Sequence, residues 1–316
     1  MKGINNDSAS GLDGVSIRII KRVNSAPVIA AIGTIMCKWN IVPDLFRKAR
    51  TVLIPKQGGE KDDISSWRPI SICSIIRRIV ERILHKKLTD FVLLNDNQVG
   101  FTKTPGTFIN TSIVNACLQK AKRDKSDCCI VLLDVVKAFE ETSHAHTIKS
   151  LQHIAMPDSL RNIVINLMEN NMTQIQTKNG LSKVVHIKKG MFQGLPLSSE
   201  LFNISIDHVM KELTETEISN NYGFNLHADI PKISARGFAD DVALLSGSIS
   251  GAKELTKIAI DNFTKVGYNL NFKKCKLIYV KDGKLNEEPL IISQQCTIEA
   301  LKPSESIRYL SVNFKD

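Results

Sequence analysis

Adjacent aspartates flanked by apolar runs carry the clearest chemistry in this sequence. In Ser234-Ala235-Arg236-Gly237-Phe238-Ala239-Asp240-Asp241-Val242-Ala243-Leu244-Leu245-Ser246 the pattern predicts a β-hairpin with carboxylates at its tip. Neighbouring acids repel, and a divalent cation cancels that repulsion because hard cations take carboxylate oxygens. For the pair alone a solvated turn is the alternative, since Asp is a common turn former. A third acid bears on the choice. The six apolar residues Cys128-Cys129-Ile130-Val131-Leu132-Leu133 predict a strand buried on both faces, and Asp134 ends it. A carboxylate there is costly unless it is paired or metal-bound. Between the acids lies Gln193-Gly194, a loop opening a helix. Two-metal nucleotidyl transfer needs such an arrangement: cations ~3.5–4 Å apart, held by carboxylates converging from different strands. It also needs basic groups to meet a triphosphate.

Those residues must be positioned by the elements around them. A helix is expected over Ala26–Trp39, broken by Pro43, then a strand over Arg50–Lys56 and a polar loop from Gln57 to Ser66. After Ser71 as N-cap, Ile72, Ile75, Ile76, Ile79, Ile83 and Leu84 repeat at helical spacing, with Arg77, Arg78, Arg82, Lys86 and Lys87 on the other face. A basic face of this kind is either a solvated surface or a nucleic-acid contact. Further helices are expected over 107–122, 147–154 and 159–170, and a hairpin over 173–177 and 183–187. Leu201 to Leu213 and Leu255 to Val266 read as amphipathic helices, the second closed by Gly267. A strand over 276–280 and the segment 307–312 end the chain.

Composition narrows the partners. Among 316 residues, 42 Lys and Arg outweigh 32 Asp and Glu, a net charge of +10 spread along the chain. That excess suits a polyanion, nucleic acid first. A membrane surface is the competing reading, but no apolar run approaches the ~20 residues of a span, and no signal-peptide pattern follows Met1. Seven cysteines without a CxxC pair read as reduced thiols, hence an intracellular protein with no zinc site.

Taken in order, these motifs resemble the reverse transcriptase domain of non-LTR (LINE-type) retrotransposons, in the ribosomal-DNA-inserting branch. Phe238-Ala239-Asp240-Asp241 matches the metal-binding box, and Leu133-Asp134-Val135-Val136-Lys137-Ala138-Phe139 the first catalytic strand. Lys188-Lys189-Gly190, Gln193-Gly194 and Pro196-Leu197-Ser198 match the loop before the template-facing helix. Arg68-Pro69-Ile70 and Gln98-Val99-Gly100-Phe101 match finger motifs. Leu270-Asn271 with Lys274-Cys275-Lys276 matches the motif after the palm helix, and Tyr309-Leu310 the primer grip.

The resemblance implies an α+β right-hand polymerase, with fingers over residues 1–127 interleaved with part of the palm. Palm to primer grip would fill 128–316, as an antiparallel sheet backed by helices. Asp134, Asp240 and Asp241 would be catalytic, and with the Val135 carbonyl would hold Mg²⁺, Mn²⁺ being a substitute. Phe139 would exclude a 2′-hydroxyl, or else be an ordinary core Phe. Gln193 with Gly194 would brace the incoming nucleotide, and Arg68 and Lys56 would hold its triphosphate. Lys274 is either a general acid near the pyrophosphate or a solvated lysine. Tyr309 and Leu310 would form the primer grip. The partners implied are an RNA template, a DNA primer and dNTPs, with no membrane, at a nuclear insertion site. The endonuclease and thumb of the element polyprotein are not recognised, so the chain is expected to be a fragment.

Three positions depart from the family pattern. Glu140 replaces the usual Asp after Ala-Phe, Leu195 the usual Asp after Gln-Gly, and Ser311 the usual Gly after Tyr-Leu. None removes an expected metal ligand. They favour a rival reading, a catalytically decayed nucleic-acid-binding relic of the same fold. A second rival, an RNA-dependent RNA polymerase, is opposed by Phe139.

Overall fold

The computed structural model describes residues 4–314 apart from Gln57, Gly59, Lys61 and Ser304. The polar loop expected from Gln57 to Ser66 therefore lies partly outside the described residues, and it ends in a 3₁₀ turn, Ile64–Ser66. Two compact units are present, Met1–Leu93 with Thr142–Phe202 and Leu94–Glu141 with Asn203–Asp316.

The first unit holds a five-stranded mixed sheet. Its strand Lys48–Pro55 pairs antiparallel with Trp67–Cys73 and parallel with Met172–Thr177, which in turn pairs with Gly180–Leu181 and Val185–His186. Trp67–Cys73 is an edge strand, and it takes in Ser71 and Ile72, where the sequence pattern has a helix begin. The helix begins later, at Ile75, where the Ser74 side chain accepts from the Ile76 N–H. Pro69 hid the strand, because proline has no ladder donor. At a sheet edge that loss costs nothing. The edge is in use two residues on, where the Ser71 N–H donates to the Gln193 carbonyl at 3.0 Å.

The second unit is built on an antiparallel sheet ordered Lys284–Leu285, Lys276–Lys281, Cys128–Leu133, Asp241–Ser246, Ala235–Phe238. Every residue of the central strand Cys128–Leu133 is buried, as its unbroken apolar run requires. On one face Ile130, Leu132, Ala243, Leu245, Ile278 and Val280 pack with Val114, Cys117 and Ala121 of the helix Gly106–Asp124. The helix Ile249–Lys265 also packs on the two central strands, with Leu255, Ala259 and Phe263 buried. Each of the larger side chains, Leu255 and Phe263 among them, contributes roughly 1.5–3 kcal/mol by leaving water. Gly267 at φ 90° ends this helix in the left-handed conformation its position predicts.

Each unit is built from two separate stretches of the chain. The helix Gly106–Asp124 backs the second sheet, so residues 94–127 lie in the same unit as its strands. Met172–Thr177 pairs with Lys48–Pro55, which takes residues 142–202 into the first unit. Long-range pairing decides membership, and it leaves no local mark in the sequence.

Candidate active site

The antiparallel ladder between Cys128–Leu133 and Asp241–Ser246 runs to Leu133 opposite Val242. Continued by one residue, that register sets Asp134 across from Asp241, where facing Cβ atoms lie ~4.5–5.5 Å apart. Phe238 pairs with Asp241, so Ala239 and Asp240 form a two-residue turn. The three acids thus meet at one end of the sheet.

Their electrostatics agree with this placement. Asp240 is half-buried, and burial followed by the charges of Asp134 and Glu140 raises its carboxyl above the ordinary value. Packing around the turn, then the like charges of Asp240 and Asp134, push the Asp241 carboxyl up to about 6. Asp241 is exposed, at the turn end of the hairpin.

The Asp134 backbone is pinned from the other side. Its carbonyl accepts from the Asn271 N–H at 2.8 Å, and its N–H donates to Cys275 Sγ at 3.4 Å. Burial lifts the Cys275 thiol to about 11, which keeps it neutral. Val136 N–H donates to the Asn269 carbonyl at 2.9 Å, and Val135 bridges Leu270. In that pattern Val135 is the non-hydrogen-bonded pair, so its own carbonyl points away from Leu270. A backbone metal ligand needs that orientation.

Among the described residues, no three His, Cys, Asp or Glu side chains already form a metal-holding group. The donor set still fits a hard cation. Three mutually repelling carboxylates on one sheet end need positive charge, and oxygen donors suit Mg²⁺ or Mn²⁺.

Phe139 lies on the short helix Ala138–Glu141, half-buried, with its ring edge-on to Phe101 at 6.1 Å. Phe101 also meets Phe238 at 6.4 Å, which ties the Phe139 ring to the hairpin that carries Asp240 and Asp241. Lys274 is exposed on the turn that pins Asp134, its N–H donating to the Asn271 carbonyl at 2.9 Å. Tyr309 is buried in the core beneath the sheet, and Leu310 is half-buried at the following turn. Burial, then the Asp241 charge, raises the Tyr309 phenol.

The turn itself is held by a loop the sequence had assigned to the fingers. Gln98 is buried and brackets the Ala239 peptide: Oε1 accepts from Ala239 N–H at 2.8 Å, and Nε2 donates to the Ala239 carbonyl at 3.1 Å. The same Oε1 accepts from Gly100 N–H at 3.1 Å. Val99 N–H donates to the Gly237 carbonyl, and Gly237 N–H to the Asn97 carbonyl. Asn110 Nδ2 donates to Gly237 as well, while Arg236 donates to Asn110 and Asn97. A Cβ on Gly100 would stand 2.1 Å from Ala239 N, so only glycine allows the approach. Asn203 in turn donates to the Gly100 carbonyl at 2.8 Å.

The remaining expected residues belong to the first unit. Ile54 faces Arg68 across the hairpin, with Lys56 just beyond its end, and both basic residues are exposed. Gln193 docks on the same edge strand through Ser71, and Gly194 follows at φ 105°. Phe192, beside them, lies under the Arg77 guanidinium at 5.7 Å, and Arg77 pairs with buried Glu81 at 2.6 Å.

Residues 54–314 match the reverse transcriptase (RNA-dependent DNA polymerase) family. The chain belongs to that family. It is 30% identical over 313 residues to the Pol polyprotein of the type-2 retrotransposable element R2DM of Drosophila melanogaster, covering 97% of this chain and 29% of that protein. An R2 polyprotein of Popillia japonica is 30% identical over 86% of this chain and 37% of its own length. The reverse transcriptase domain of a non-LTR element of the R2 branch is therefore what the ordered motifs had pointed to. The chain spans between 29% and 37% of the length of these relatives. Telomerase from Candida albicans, solved with a fragment of telomeric RNA, shares the fold at TM-score 0.54 and 13% identity, over 86% of this chain and 45% of that one. Telomerase from Candida tropicalis gives TM-score 0.53 at 15% identity, over 78% of this chain and 43% of that one. The fold class is thus the expected α+β right-hand polymerase with an antiparallel palm sheet. No helix among the described residues is long and apolar enough to cross a membrane.

Against the family pattern, Glu140 adds its charge to the acid cluster. Leu195 is buried with Ala49, Cys73 and Phe192, an apolar site in which a carboxylate would be costly. Ser311 holds φ 69°, a conformation that glycine adopts without cost.

Proposed function

We propose that this reverse transcriptase domain extends a DNA primer on an RNA template by two-metal nucleotidyl transfer, as part of a longer element polyprotein acting at a nuclear insertion site. The placement of Asp134 across from Asp241, with Asp240 on the adjoining turn, carries the reading. Asp134, Asp240, Asp241 and the Val135 carbonyl would hold Mg²⁺, which would supply activation of the primer 3′-hydroxyl and stabilisation of the leaving pyrophosphate.

The chain's own residues do the rest. Phe139, propped by Phe101, closes the space a 2′-hydroxyl would need and so selects deoxynucleotides. Arg68 and Lys56 meet the triphosphate as exposed cations, and Gln193 with Gly194 braces the nucleotide from a loop fixed to the edge strand. Lys274 delivers a proton to the pyrophosphate. With Tyr309 turned into the core, the grip on the primer falls to Leu310 and the backbone of its turn. The net charge of +10 draws the nucleic-acid backbone by counterion release, so binding weakens steeply with salt.

Primer extension tests this: poly(rA)/oligo(dT), dTTP and Mg²⁺ yield extended product from the wild type and none from Asp240→Asn. The departures Glu140, Leu195 and Ser311 favour a second reading, a decayed nucleic-acid-binding relic. It keeps the salt-dependent binding but gives no extension in Mg²⁺ or Mn²⁺.

A further inference from the structure

We propose that Gln98 is a positioning residue for the polymerase reaction: its side-chain amide clamps the Ala239 peptide and so fixes Asp240 and Asp241 in register with Asp134. The inference rests on the polymerase reading above and adds to it the device that aims the acids.

Four observations carry it. Ala239 has φ 53°, a left-handed conformation in which a side chain is strained, so the turn does not hold this shape by itself. It is also buried, so water cannot satisfy its N–H and carbonyl. The Gln98 amide satisfies both at once, at 2.8 and 3.1 Å, from a position 141 residues away in the chain. A planar amide that accepts from the N–H and donates to the carbonyl of one residue ties down the peptide groups on both sides of it. Gln98 is in turn fixed, because its Oε1 also accepts from Gly100, and the loop is tied to the helix Pro196–Thr214 by Asn203, by Asp207 at the Asn95 N–H (2.7 Å) and by Thr214 at Asn95 Nδ2 (2.8 Å). Adjacent carboxylates repel one another. A turn without the clamp would relax by swinging them apart. Gln98 touches neither Asp240 nor Asp241 side chain in any of these bonds; it acts through the peptide between Phe238 and Asp240.

The test uses Gln98→Met, which keeps the length of the side chain and removes the amide, with Gln98→Glu as a second variant that keeps only the acceptor. Hydrogen exchange of the full chain, read by peptide, is expected to show lost protection over residues 238–242 in Gln98→Met, with the strands at 128–133 unchanged. Extension by the same variant is expected to fall about 10- to 100-fold in kcat with little change in KM for dTTP, since small misplacements of reacting groups cost on this scale. Gln98→Glu should fall too, because it cannot donate to the Ala239 carbonyl. Adding Ala239→Gly to Gln98→Met should restore part of kcat, because glycine reaches the positive φ without help. Rescue of kcat by a change that removes buried methyl contact is not what a purely structural role would give. Unchanged exchange at 238–242, or lost protection with kcat intact, overturns the proposal. If the wild type itself extends nothing in Mg²⁺ or Mn²⁺, the polymerase reading fails, and with it the catalytic part of this inference, while the exchange data still decide whether the clamp exists. Should Gln98→Met not fold, the exchange and kcat of Gln98→Glu decide by the same criteria.

Discussion

Two tight turns in the second unit break the same backbone rule and are treated differently. Ala239-Asp240 joins Ala235–Phe238 to Asp241–Ser246, and Leu310-Ser311 joins Ile307–Tyr309 to Val312–Phe314. Each is a two-residue hairpin loop with a non-glycine residue at positive φ: 53° at Ala239, 47° at Leu310 and 69° at Ser311. In the first turn Ala239 is buried and bracketed by Gln98, crowded by Gly100 and flanked by Arg236 and Asn110. At the second, Ser311 is exposed. Left-handed conformations cost an L-residue about 1–2 kcal/mol. In the acid turn that strain is over-determined by its surroundings, which is where strain persists for function. In the Tyr-Leu turn it follows from a residue that departs from glycine.

The largest effect expected of the acid turn is loss of chemistry without loss of fold. Asp134→Asn or Asp240→Asn removes an oxygen donor on which several kcal/mol of charge stabilisation depend, so extension should drop by about a thousandfold or more. The same changes relieve like-charge repulsion, so melting without added metal should stay level or rise. A variant that unfolds early would instead show that the acids are structural, and the two turns would then differ only in burial.

Gly100→Ala breaks the comparison from the other side. A Cβ 2.1 Å from Ala239 N must push the backbone, and overpacking of this kind costs about 1–3 kcal/mol. We expect lower thermal stability together with an extension rate at least tenfold down, the loss being read as kcat at a temperature where circular dichroism shows the variant folded. Full activity in a folded Gly100→Ala variant would mean that the turn tolerates displacement.

How far each region was legible follows from range. The strand Cys128–Leu133, its terminal Asp134 and the hairpin of the acid pair were readable because apolar runs and turn residues are local signals. Gly267 was readable for the same reason. Trp67–Cys73 was not, since Pro69 and Ser71 resemble a turn and a cap until the sheet edge and the Gln193 loop are known. Gln98 carried a motif but no role, because its partner lies 141 residues away and no periodicity links them. The burial of Tyr309 on its short strand, with Leu310 half-buried at the turn that follows, was not legible because it is set by packing against distant parts of the chain.

A smaller effect separates selectivity from packing around the acid turn. Phe139 is half-buried and edge-on to Phe101, so Phe139→Ala should cost less than the ~3–5 kcal/mol of a fully buried Phe. Ribonucleotide incorporation should rise relative to dTTP in competition. Phe101→Ala, which removes the prop and not the ring itself, should shift the same ratio less. If Phe139→Ala melts early and the ratio is unchanged, the ring is core and the selectivity assignment is wrong.

The smallest effect is expected at the second turn, and its sign is the informative part. Leu310 and Ser311 both hold positive φ, the signature of a type I′ hairpin, whose central positions favour Asn and Gly. Ser311→Gly removes left-handed strain of about 1–2 kcal/mol but gives the unfolded chain extra freedom worth about 0.4–1 kcal/mol. The balance is a gain of between about 0 and about 1.6 kcal/mol, the difference between those two ranges. Ser311 is exposed, so no packing is lost to offset it. Ala239→Gly is the control: its methyl is buried and its conformation already enforced by Gln98, so the same substitution should gain less or lose stability there. Chemical denaturation of both variants beside the wild type reads the contrast. A Ser311→Gly variant no more stable than Ala239→Gly would show that Ser311 is held as firmly as Ala239, and that its departure from glycine is compensated.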